Sequence, residues 1–358
     1  MRDNPLTTIN SRARNNICPP LEYIDIILDN FPIDIDSTSP LQLDGLQPRT
    51  KLYSVDPDKS PLITSTDARL YIIDTTAGKE IACHPHIVSQ RLADLCVESA
   101  NEFVLILKQL DLISDHSGIL HILRGSSGYM VNKALPELPV IHIRTKYSQD
   151  GYRSHSDDSR RIDVIFSDYH EAKFDTLIIP DTYATGRSVE ATLIHMFKEG
   201  FSVETVIIYG FTAIPAIERV QHVLDSHGVE LHVFSICDIT QLYSNNYDMP
   251  LYGLDEYAYQ KTGELYPLGS IVSESTLHEM LPRFIPGMDQ PGDWSERHND
   301  LFNGFTSEHG NIRGHLSKSI EFIKSLEALN SNQPWYNEDL HESAEKELQK
   351  LAATLRDY

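Results

Sequence analysis

The sequence predicts an α/β fold, a parallel sheet covered by helices. Three observations carry this prediction. Short apolar runs rich in Ile, Val and Leu alternate with helix-period patterns from Ser117 to Ile236. Turns rich in Gly, Ser and Thr separate several of the runs from the helices that follow. The runs are near-continuous in apolar residues, as strands covered on both faces are. Strands that alternate with helices pair in parallel, because a helix must return the chain to the same end of the sheet.

Residues 1–60 are rich in Pro, Asp, Ser and Thr and hold only short apolar runs, so they read as an irregular arm or cap. Ala68-Arg-Leu-Tyr-Ile-Ile-Asp74 is strand-like, and Ala77-Gly78 marks a turn after it. Between His86 and Leu112, apolar residues from Ile87 to Leu110 recur at helical spacing and predict one or two helices. The regular alternation then begins. Ile119–Leu123 is a strand, Arg124–Gly128 a turn and Met130–Leu135 a short helix. Val140–Arg144 and Arg161–Phe166 are strands, followed by the strand Phe174–Pro180 and the helix Val189–Phe197. The strand Val203–Tyr209, the helix Ile214–Leu224 and the strand Val229–Ile236 complete the series. Residues 238–315 are rich in Tyr, Pro and Gly and read as a loop-rich lid. Ile320–Leu329 and Leu340–Leu355 are amphipathic helices. The expected organisation is an N-terminal extension or cap (1–112), an α/β core (113–240), a lid region (241–315) and C-terminal helices (316–358).

The 358 residues suit one large domain or two, and the 41% apolar content is enough for a packed core. With 30 basic against 52 acidic residues, the net charge of −22 argues against a nucleic-acid surface. No window approaches the ~20 apolar residues of a membrane span. The start, Met1-Arg-Asp-Asn-Pro5, lacks an apolar signal core, so a cytoplasmic protein without a membrane partner is expected. Cys18, Cys83, Cys96 and Cys237 form no paired motif and read as reduced thiols. Cys83-His-Pro-His86 has the look of a metal clip, yet no second cluster in the sequence completes it.

The chemistry concentrates where the strand Phe174–Pro180 runs into Asp181-Thr-Tyr-Ala-Thr-Gly-Arg-Ser188 and then a helix. A helix start presents backbone N–H groups and the positive end of the helix dipole, which favour an anion. Thr185 and Ser188 add hydroxyl donors, and Gly186 lets the backbone approach a ligand. Asp181 beside this cradle can accept hydrogen bonds from sugar hydroxyls. The segment therefore reads as a sugar-phosphate site, the bland alternative being an ordinary strand-to-helix turn.

Leu177-Ile-Ile-Pro-Asp-Thr-Tyr-Ala-Thr-Gly186 resembles the phosphoribosyl-pyrophosphate (PRPP) signature of the type I phosphoribosyltransferases, with Pro180 at one of its two acidic positions. The nearest feel is that of the uracil-specific members, which also pair an acid with a proline, in the opposite order. The resemblance covers roughly residues 115–240. It implies a phosphoribosyltransferase-like sheet carrying N- and C-terminal extensions. It also implies a site in which Asp181, Thr182, Tyr183, Ala184, Thr185, Gly186, Arg187 and Ser188 hold the ribose and 5-phosphate. A pyrophosphate loop is expected at Arg124, Gly125 and Ser126, where Arg124 offers a fork of donors; as residues alone, Arg-Gly-Ser-Ser-Gly also reads as a surface turn. A hood is expected across 144–161, with Arg144 and Lys146 on pyrophosphate and Arg153 joining Asp181 as a catalytic candidate. Tyr252 and Asp255 are the acceptor candidates, with core or lid packing as the other reading of the tyrosines.

The implied reaction displaces pyrophosphate from PRPP by a nitrogenous base or related acceptor, through an oxocarbenium-like transition state. Mg²⁺ is the implied cofactor, drawing its ligands from water and substrate and none directly from the protein. PRPP and the acceptor are the implied partners, and the resemblance leaves room for a homodimer. Two other readings stand beside this one: a non-catalytic relative that binds PRPP or a nucleotide as a regulator, and an interaction scaffold.

Overall fold

The structure, a computed structural model, describes residues 21–64, 66–147, 161–169 and 173–358. In chain order, α1 (Leu21–Asn30) leads to β1 (Thr38–Leu41), β2 (Lys51–Val55) and β3 (Arg69–Asp74). Two helices follow, α2 (Thr76–Cys83) and α3 (Ser89–Gln109). The next stretch holds β4 (Ser117–Leu123), α4 (Val131–Ala134), β5 (Val140–Tyr147), β6 (Ile162–Ser167), β7 (Thr176–Pro180) and α5 (Arg187–Lys198). Then come β8 (Thr205–Ala213), α6 (Ile214–Asp225) and β9 (Glu230–Thr240). Residues 241–311 hold only short pieces: β10 (Gly253–Leu254), α7 (Glu256–Thr262), β11 (Pro267–Leu268), β12 (Ser270–Ile271), α8 (Glu274–Met280), β13 (Asp300–Phe302) and β14 (Ser307–His309). The helices α9 (Ile312–Asn330) and α10 (Glu338–Thr354) close the chain.

One sheet organises the molecule, in the order β1-β2-β3-β9-β8-β7-β4-β5-β6, with β12 pairing β9. The strands from β3 to β5 pair in parallel, while β1, β2, β6 and β12 pair antiparallel at the margins. The predicted α/β class with a parallel-dominated sheet is thus the observed one. The sheet draws strands from both sides of residue 113, since β1 to β3 come from residues 38–74.

Strand alternation divides the apolar residues between two faces. Along β8, Ile207, Tyr209 and Phe211 join the core that contains α3, α9 and α10, while Val206 and Ile208 join the core beneath α5 and α6. Ala77–Gly78 differs from the expected turn and lies inside α2. A Cβ on Gly78 would come within 2.7 Å of Ile236, so this glycine permits close approach of helix to sheet. Thr75 caps that helix by accepting a hydrogen bond from the Gly78 N–H at 2.8 Å. No helix among the described residues is long and apolar enough to cross a membrane.

The chain order reverses between β4 and β7: β5 lies to one side of β4, while β7, β8 and β9 follow in turn on the other. In open parallel sheets the crevice beyond the carboxyl ends of the strands at such a reversal is the natural ligand site. The turns after β4 and β7 are the two segments the sequence singles out, and the topology makes them neighbours.

Candidate functional site

A cavity of about 310 Å³ lies above the ends of β4 and β7. Arg124, Gly125 and Asp181 line it, as does every residue of the following turn, from Thr182, Tyr183 and Ala184 through Thr185 and Gly186 to Arg187 and Ser188. The turn is an extension of the sheet ladder. Asp181 N–H donates to the Tyr209 carbonyl, Tyr183 N–H to Phe211, and Ala213 N–H back to Tyr183. These bonds fix the backbone, so the loop is preorganised by β8. Ala184, with its small side chain half-buried, packs against the core that holds Tyr129 and Trp294. Gly186 sits at φ 74°, and a Cβ there would press on the Ala216 backbone at 3.0–3.1 Å. It allows both the left-handed turn and close packing on α6. No side chain caps the start of α5. Its first-turn amides are therefore suited to an anion in the cavity.

The Asp181 carboxylate accepts a hydrogen bond from the Thr182 N–H at 2.8 Å. Burial lifts its pKa from 3.8 to about 7, only partly offset by the Thr182 and Ser126 hydrogen bonds. The Thr182 hydroxyl shares a 2.7 Å hydrogen bond with the Tyr129 hydroxyl. Arg219 braces the turn from α6, donating from Nε to the Thr185 carbonyl at 2.8 Å and pairing with Glu190 at 3.1 Å.

The turn after β4 carries Arg124, joined to Leu123 by a cis peptide. Its Nη2 donates to Glu296 at 2.5 Å, and its Nε lies 3.6 Å from Glu308. Its Nη1 is buried and has no hydrogen-bond partner among the described residues. That orphaned donor is suited to an anionic oxygen. Trp294 closes the loop from above, donating to the Gly125 carbonyl at 3.0 Å and stacking on Tyr129.

Several candidates fall elsewhere. Ser126 is fully buried, and its hydroxyl bonds the Ile122 N–H and carbonyl, so it holds the loop from below. Arg144 and Lys146 do not line the cavity, because alternation along β5 turns Thr145 and Tyr147 toward it instead. Arg144 donates to the Asn303 carbonyl at 2.6 Å and lies 3.8 Å from Glu308. The structure does not bring Tyr252 and Asp255 to the cavity. Tyr252 is buried against Phe284. Asp255 caps α7 through Ala258 N–H and also accepts from Ser244 N–H. Both are spent on packing the 241–291 segment. Arg153 and the centre of the hood lie outside the described residues.

Sequence reasoning missed Thr145, Tyr147, Asn246, Tyr247, Trp294 and Ser295, all of which line the cavity. Tyr247 stands five positions before the acceptor candidate Tyr252. Trp294 is one of two tryptophans in a loop-rich stretch, and its rarity was the available signal.

No family model matches this chain, and no curated protein matches it. Solved structures do. The AQ2163 protein from Aquifex aeolicus aligns at 15% identity over 48% of this chain and 88% of its own, with a TM-score of 0.37. The purine phosphoribosyltransferase from Pyrococcus horikoshii aligns at 16% identity over 40% of this chain and 85% of its own, with a TM-score of 0.27. The adenine phosphoribosyl transferase from Trypanosoma brucei, solved with AMP, pyrophosphate and ribose-5-phosphate, aligns at 13% identity over 47% of this chain and 83% of its own, with a TM-score of 0.31.

Proposed function

We propose that this chain binds PRPP above β4 and β7 and transfers its phosphoribosyl group to a nitrogenous acceptor, releasing pyrophosphate. The supporting observation is the convergence on one cavity of an uncapped helix start, the Asp181 carboxyl and the orphaned Arg124 donor. The α5 amides, with the Thr185 and Ser188 hydroxyls, take the 5-phosphate. Asp181 accepts from the ribose hydroxyls, and Arg124 meets the pyrophosphate. The bond from the anomeric carbon to pyrophosphate breaks with its electron pair leaving on oxygen. The acceptor nitrogen supplies the pair for the new bond and then loses its proton to solvent water. The protein's task is positioning and stabilisation of separating charge. The acceptor site in this reading is the wall formed by Tyr247 and Trp294.

Mg²⁺ in this reading draws its ligands from the substrate phosphates and water, and none directly from the protein. When bound it offsets the charge of the departing pyrophosphate. Arg153 remains a proposed contributor from outside the described residues, and a homodimer a proposed assembly.

A second reading, a PRPP- or nucleotide-binding regulator, is favoured by one observation. Arg124 is already paired with Glu296, beside Glu308, two carboxylates that compete with a pyrophosphate. Incubation with PRPP, Mg²⁺ and a panel of bases, monitored for pyrophosphate, separates the readings. Release dependent on one base supports the transferase. Calorimetric PRPP binding without turnover supports the regulator, and absence of any binding removes both.

A further inference from the structure

His84 and His86 flank Pro85 in the turn between α2 and α3, and α10 brings a carboxylate to them from the other end of the chain. Glu347 Oε2 lies 2.9 Å from His84 Nδ1, and Oε1 lies 2.5 Å from His86 Nδ1. Candidate donor atoms of the three residues lie within 4.8 Å of one another. Glu347 supplies the partner that the Cys83-His-Pro-His86 motif lacks in the linear sequence. Cys83 itself is fully buried and stays outside the donor set.

We infer that His84, His86 and Glu347 form a site for a zinc-class divalent cation that clips α10 to the α2–α3 turn. Two imidazoles and one carboxylate suit zinc, cobalt or nickel better than Mg²⁺ or Ca²⁺, which prefer all-oxygen ligands. Bonds of about 2.0–2.2 Å in a tetrahedral site set its ligand atoms about 3.3 Å apart. The observed 2.9 and 2.5 Å separations need open by about 0.4 and about 0.8 Å to reach that value, with all donor atoms already within 4.8 Å.

The supports of the site are as informative as its ligands. Arg297, fully buried, donates to the carbonyls of Ile81, His84 and Ile87 and so fixes the turn that carries both histidines. His315 Nε2 lies 2.9 Å from the Pro85 carbonyl. With Nδ1 of His84 on a metal, its Nε2 carries the proton and faces Glu80, 4.0 Å away. A carboxylate behind a ligating histidine is the usual outer shell of such sites. Glu347 is buried, and its two carboxylate oxygens face the two histidines separately. Lys350, 3.7 Å from Glu347 and half exposed, is a competing cation that can swing into solvent. Protein side chains fill three positions, leaving a fourth for water.

The test uses the full chain, freed of metal by a chelator and then titrated with Co²⁺ and Zn²⁺. We expect one equivalent of Co²⁺ to give the intense visible absorption of a low-coordinate site, displaced by Zn²⁺. Glu347→Gln keeps the shape and should weaken binding by more than about tenfold. His84→Gln should do the same. Lys350→Ala should tighten binding, and His309→Gln, at an exposed histidine paired with Asp300, should leave it unchanged. X-ray absorption on the Co²⁺-loaded wild type should show nitrogen and oxygen neighbours only. No saturable binding, binding unchanged in both ligand variants, or sulfur in the coordination shell would each overturn the site.

Discussion

Asp181 combines a cost in stability at neutral pH with the ligand-binding role proposed for it. Its carboxyl is held at about 7 against an ordinary 3.8, chiefly by burial. The folded state therefore keeps this proton longer than the unfolded chain does, and the protein loses stability as pH rises from about 4 through about 7. Asparagine has no proton to lose. Asp181→Asn should thus gain stability relative to the wild type between pH 5 and pH 8, by about 1–3 kcal/mol after discounting partial exposure. The same change should weaken PRPP binding by about 10–100-fold, the worth of a hydrogen bond to a charged group. Calorimetry at both pH values, with and without ligand, checks the pair; a variant with no relative gain from pH 5 to pH 8 refutes this account of Asp181. Gly186 is limited by space. Gly186→Ala meets both φ 74° and the Ala216 backbone at 3.0 Å. It should cost about 1–3 kcal/mol in a denaturant melt and weaken phosphate binding, since the turn and α5 must shift together.

At the scale of elements, the segment from Trp294 to His309 borders the Arg124 side of the cavity, where pyrophosphate is proposed to bind. It delivers Trp294 over Gly125, Glu296 and Glu308 to Arg124, and the Asn303 carbonyl to Arg144. Glu296→Gln removes one competing carboxylate and should tighten binding of Mg²⁺–pyrophosphate severalfold, the tenfold step corresponding to about 1.4 kcal/mol. Isothermal titration measures it, and unchanged affinity would place the ligand away from Arg124. This segment also marks where the sequence stops being legible. The strands β4, β7, β8 and β9 were readable because long apolar runs between turn residues have few alternatives. The turn at 181–188 was readable as a strand-to-helix connection because its chemistry is local. Residues 294–309 carry no period and reach the site only through tertiary packing, so nothing nearby in sequence announces them. Tyr252 and Asp255 misled for the same reason: a tyrosine and a capping aspartate have the same letters in a lid as in a site. On β5 the basic pair Arg144 and Lys146 drew the eye, and the strand's twofold alternation selected Thr145 and Tyr147.

At the scale of the whole molecule, the parallel core depends on chain that precedes residue 113 and follows residue 240. Along β9 every residue but Glu230 is buried. Its outer edge is paired with β3 from Arg69↔His232 to Ile73↔Ile236, and then with β12 at Ile239 and Thr240. One face of β8 and β9 is covered by α3, where Phe103 stacks on Tyr209 with ring centres 4.0 Å apart and meets Phe234 edge-on at 5.5 Å. The same core continues into α9 and α10 through Leu316, Ile323, Leu326 and Leu351. A fragment of residues 113–240 would leave the β9 edge unpaired and turn Tyr209, Phe211, Phe234 and Ile236 toward water. Unpaired edges and broad apolar patches recruit other chains. The fragment should therefore be insoluble or associate on gel filtration, while the full chain melts in one cooperative transition. Leu351→Ala, a cavity in the shared core, should lower that single transition by about 2–5 kcal/mol and reduce ligand binding only through unfolding. A monomeric, protease-resistant 113–240 fragment with its own sharp melt would show that the flanking segments decorate a finished domain instead of completing it.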